Sequence, residues 1–164
     1  MFPSIQYRMN DTPFIDQQGM IIVCTENRIY TARIAIIHNE GTIIDNTVLI
    51  TNYNANITAG NLHKEEELAF ISTCTDVQAL VEAKARLQQV DSAITLAQSR
   101  IDNAERTIVS ARVAIVRANN TIVDARAIVA HHRDLLAAYI NGVNKLATVR
   151  KNKTNTAKLQ LGLI

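Results

Sequence analysis

Few residues in this chain are typed and spaced for chemistry. Glu65-Glu66-Glu67 sets three carboxylates in succession, the raw material for an acid–base pair or a metal site. No His or Asp at useful spacing joins them. A solvated face on a short helix from Asn61 to Ile71 is therefore expected, with Asn61 as N-cap and the glutamates near the positive end of the dipole. Cys24 and Cys74 lie fifty residues apart. They lack the second pair or the His spacing of a metal site and read as small buried hydrophobes or bystanders. There is no GxSxG, Walker, GxGxxG or HExxH motif and no paired-carboxylate constellation. The chain reads as non-enzymatic, with no catalytic residue, no cofactor and no metal.

What the sequence does carry is a repeat. Counting by sevens from Leu80 gives Leu80, Leu87, Ile94, Ile101, Ile108, Ile115, Ile122, Val129, Leu136 and Val143 at position a. Position d holds Ala83, Val90, Ala97, Ala104, Ala111, Ala118, Ala125, His132, Tyr139 and Leu146. A seven-residue period sustained this long specifies a supercoiled helix rather than an ordinary surface helix. The surrounding stretch Asn61 to Asn141 contains neither Gly nor Pro. Thr75-Asp76-Val77-Gln78 has the form of a capping box, with Thr75 at the N-cap. Asn119-Asn120-Thr121 is the one weak helical point, yet the register holds across it, so a continuous helix is expected.

That helix needs a partner. From Leu80 to Leu146 it would run about 100 Å at ~1.5 Å per residue, whereas a compact 75-residue domain spans only ~30 Å. Most of the seam must be buried by another helix, through oligomerisation or a folded-back hairpin. Ile at a with Ala at d matches neither the common dimer nor the common trimer pattern. Val109, Val116 and Val123 at b, with Ala114 and Ile128 at g, widen the apolar face. A parallel homotrimer is the expected form. Arg112, Arg126 and Arg133 fall at e without acids at the g positions opposite, so they either snorkel over apolar surface or meet an acidic partner. His132 would bring three imidazoles to a trimer axis, as a polar layer, a metal or anion site, or a pH switch.

The chain before this helix has a different composition. Six of the seven aromatics precede residue 71, and residues 1–75 carry four basic and eight acidic groups. Residues 76–149 carry nine basic and seven acidic groups, and the last fifteen carry four basic and none acidic. Runs at 20–24, 28–38 and 42–51 are rich in Ile, Val, Thr and Tyr and read as strands. Gly41 would supply a hairpin turn, and Pro3 and Pro13 favour irregular chain over residues 1–18. The expected fold class is α+β. It comprises a small β-rich domain (1–72), a long heptad helix forming a parallel, trimeric coiled coil (73–149) and a basic then apolar tail (150–164). In the tail, alternating Leu159, Leu161 and Leu163 suit docking to a partner.

No basic n-region precedes an apolar core at the N-terminus, and no apolar run approaches the ~18 residues that span a bilayer. Neither a membrane nor a nucleic acid is an expected partner. A β-rich module (20–58), the a/d series 80–146 and the missing signal peptide together resemble, in layout, the trimeric coiled-coil fibre, whisker and neck proteins of bacteriophages and other viruses. The resemblance implies a structural component of a virion that fixes length and trimer number, docked on a capsid or tail by one end. The alternative is a cytoplasmic coiled-coil adaptor or scaffold whose N-terminal module binds a protein.

Overall fold

A computed structural model describes residues 3–160, with side chains described for 13–154 and 156. Helix α1 runs Pro3–Thr73 and helix α2 runs Val77–Gln160, separated only by residues 74–76. The α+β expectation is overturned, because no strand occurs among the described residues. Residues 20–58 are helical throughout, and the short helix expected at 61–71 is the last part of α1.

The reason lies in spacing. Ile22, Ile29, Ile36, Ile43, Ile50 and Ile57 recur every seven residues. Between them runs a second row, Gln18, Thr25, Ala32, Asn39, Asn46, Tyr53, Gly60 and Glu67. Every residue of both rows is buried or half-buried. A β-branched residue costs a helix only ~0.7 kcal/mol or less, whereas burying an Ile side chain contributes about 1.5–3 kcal/mol. Period therefore prevails over composition. The polar residues also bond within the helix. The Thr25 hydroxyl donates to the Ile21 carbonyl at 2.7 Å, and the Asn39 and Asn46 amides donate to the Ala35 and Thr42 carbonyls at 2.7 and 2.8 Å. Exposed Thr47 and Thr51 bond one turn back in the same way.

The supposed turn at 38–41 is thus mid-helix, and a Cβ added at Gly41 would meet nothing within 4 Å. Pro13 is likewise inside α1. The true turn is short and capped. The Cys74 N–H donates to the Phe70 carbonyl at 3.0 Å, closing one terminal group of α1. The Asp76 carboxylate accepts from the backbone N–H groups of Gln78 and Ala79 at 2.9 and 3.4 Å. The N-cap of α2 is therefore Asp76, one residue beyond the expected Thr75. α2 is continuous through 119–121 and extends to Gln160.

The chain divides into two compact units. One comprises residues 34–118, the second part of α1 and the first part of α2 paired antiparallel about the turn. The other comprises residues 1–33 and 119–164, where the opposite ends of the two helices pair. In each unit the seam of α2 is covered by α1 of the same chain, so the expected parallel, three-chain seam is replaced by an antiparallel intrachain one. The size argument for a second chain fails because its premise, a compact N-terminal domain, does not hold. As a helix, α1 runs alongside the stripe it must cover.

Candidate functional site

Nineteen of the twenty residues assigned to a and d are buried or half-buried, and only Leu146 is exposed. Ile101, Ile108, Ile122, Val129, Ala83, Ala97, Ala104, Ala111 and Ala125 form the most enclosed part. In the unit about the turn, facing pairs include Tyr53 with Arg100, Lys64 with Asp91 and Glu67 with Arg86. This register sets Ile50 level with Ala104, Asn46 with Ile108, Ile43 with Ala111 and Asn39 with Ile115. Each layer joins one large aliphatic residue to one small or polar residue. Gly60 is the extreme case, since a Cβ there would lie 3.0 and 3.2 Å from the Ile94 side chain. The glycine admits Ile94 into the space its own side chain would occupy.

Charged groups flank the seam of this unit. Arg86 donates to both oxygens of Glu67, at 2.6 and 3.1 Å, a two-point guanidinium–carboxylate pair. The Glu67 carboxylate is held below its ordinary range first by these hydrogen bonds; the charges of Arg86 and His63 add to them and burial opposes. Glu65 and Glu66 are exposed, as expected of a solvated face, but Glu67 is buried. His63 does approach the run, at 3.5 Å from Glu66 and 3.8 Å from Glu67. Lys64 pairs with Asp91 at 2.6 Å. The Tyr53 hydroxyl accepts from Arg100 at 3.1 Å, and the guanidinium carbon lies 5.5 Å from the ring centroid. Beside them, Tyr53, Asn56, Gly60, Ile94 and Arg100 line an open cleft of about 320 Å³.

These groups fix register and hold no reactive constellation. The Glu67 carboxylate is committed to the Arg86 guanidinium. Among the described residues no three His, Cys, Asp or Glu side chains gather as metal ligands do. Both cysteines are free; Cys74 is half-buried at the turn and Cys24 is an exposed bystander.

In the other unit, His132 Nδ1 lies 2.5 Å from Gln18 Oε1, so its N–H donates to the amide oxygen of α1. Phe14 and Tyr139 stack with ring centroids 4.8 Å apart. The imidazole and phenol that interrupt the α2 core thus meet an amide and a ring from the same chain. Arg133 pairs with Glu26 at 2.7 Å. The acidic partner sought for Arg133 is therefore in α1 of the same chain. Arg112 and Arg126 are exposed and make no ion pair among the described residues. Leu161 and Leu163 lie outside the described residues, as does the Leu159 side chain.

The remaining feature is outward-facing. Val109, Val116 and Val123, expected to widen the seam, are 58%, 58% and 63% exposed. On α1, Ile37 and Ile44 are 67% and 64% exposed. Total accessible surface is 12383 Å², about half as much again as the ~8,100 Å² of a compact monomer of this mass. In each unit the two helices thus pair antiparallel and leave aliphatic side chains uncovered. No family model, curated protein or solved structure matches the chain. No helix among the described residues is long and apolar enough to cross a membrane.

Proposed function

We propose that this chain is a non-enzymatic structural protein that works by protein–protein association, as a connector or cementing component of a virion. One observation supports it most: with the seam filled internally, aliphatic residues at Ile37, Ile44, Val109 and Val116 still face outward. Contiguous exposed apolar surface marks interaction sites in soluble proteins. The virion setting follows from the layout resemblance, of which the heptad series remains and the β-rich head does not. Association through lateral helix faces replaces docking through a head domain.

The test is fractionation. Particles purified from the source culture on a density gradient are expected to contain the chain in fixed stoichiometry with their shell proteins. A chain recovered only in the particle-free fraction, or bound there to cellular proteins, would remove the virion reading and leave the adaptor. Recovery as a lone 18.2 kDa species would remove both.

A further inference from the structure

In the unit formed by residues 34–118, the geometry points to an isologous dimer: a second copy of this chain covers the face carrying Ile37, Glu40 and Ile44 of α1 and Val109, Arg112 and Val116 of α2. This inference deepens the proposed structural role and rests on it.

Ile37 and Ile44 each follow a core isoleucine, Ile36 and Ile43, by one position. Val109 and Val116 follow Ile108 and Ile115 in the same way. In an antiparallel pair, the positions one and four residues beyond the a row fall on the same flank of both helices. The four aliphatic residues therefore share one face, with Glu40 and Arg112 between them. All six are exposed. Glu40 and Arg112 make no ion pair among the described residues.

Charge selects the occupant. Over residues 36–48, α1 carries Glu40 and Asp45 and no Lys or Arg. Over the level stretch of α2, residues 106–118, lie Arg106, Arg112 and Arg117 and no acid. A two-fold rotation lays the acidic helix of each copy on the basic helix of the other, so apolar and charged rows match twice. Self-complementarity of this kind is what an isologous interface requires. The product is a four-helix arrangement in which each helix buries a second apolar strip.

The test is solution mass of the full chain at micromolar concentration, by light scattering or sedimentation equilibrium. The wild type is expected at twice 18.2 kDa. Ile44→Asp with Val109→Asp should raise the dissociation constant by about a hundredfold or more while helicity stays unchanged, since neither residue lies in the seam. Glu40→Arg or Arg112→Glu alone should weaken the dimer, and the two together should restore it. A wild-type monomer, a trimer, or a dimer indifferent to these changes would overturn the inference. Particle fractionation of the wild type beside its solution mass separates the two claims: a wild type that is monomeric yet particle-bound defeats the dimer alone, and a dimeric wild type absent from particles defeats the virion role alone.

Discussion

The two helices bury rows of the same period with different chemistry. In α2 one row is long and aliphatic and the other is mostly alanine, with His132 and Tyr139 near its end. In α1 isoleucines alternate with Gln18, Thr25, Asn39, Asn46, Tyr53 and Glu67. One helix is recognisable alone; the other is intelligible only beside its partner. Each row of large side chains faces the row of small or polar ones across the seam. Thr25, Asn39 and Asn46 bond carbonyls one turn back, while Gln18, Tyr53 and Glu67 bond His132, Arg100 and Arg86 of α2, and no buried side-chain polar atom among the described residues is left without a partner.

That contrast can be broken most severely by Ile108→Asp. An unpaired carboxylate in the seam should destabilise by roughly 3–5 kcal/mol, seen as a large fall in the thermal midpoint followed by circular dichroism. Asn46→Asp, level with it on α1, should cost much less, because Asn46 is half-buried and already polar. The next effect tests the alternation of sizes. Ala111→Ile should cost about 1–3 kcal/mol by overpacking, and Ile43→Ala about 2 kcal/mol by leaving a cavity. The pair combined should cost less than the two added, since the large residue has only changed helices.

A smaller effect comes from the ion pair. The Glu67 carboxylate has a folded-state value below its ordinary 4.5, so its stabilisation is present above that pH and is lost as pH falls through the lower folded value. Glu67→Gln should lower the thermal midpoint at pH 7, and the difference from wild type should shrink below pH 4. Equal differences at both pH values would show that the carboxylate charge plays no part. The smallest effect compares two glycines of α1. Gly41→Ala should stabilise by about 1 kcal/mol, the usual helical gain. At Gly60 the same change sets a Cβ 3.0 Å from Ile94 and should forfeit that gain.

Much of α2 is legible in sequence: the a/d phase, continuity through Asn119-Asn120-Thr121, and a capped start within one residue of Asp76. The signal for α1 was present as six isoleucines at intervals of seven from Ile22 to Ile57. Composition obscured it, because Ile, Val and Thr suit strands, and because polar Asn39, Asn46 and Glu67 occupy positions where a heptad search expects aliphatics. The expected solvated run at Glu65 to Glu67 holds for two of its residues. The third is buried because it happens to face Arg86 across the seam.

Sequence therefore determines that a long apolar stripe exists and which residues form it, since helical periodicity is a local property of the chain. The tertiary structure decides what covers that stripe. Whether Asn46 or Gly60 belongs in a core depends on the residue opposite, here Ile108 and Ile94. That complementarity is a property of the pair of helices, so it emerges only once α1 lies antiparallel against α2.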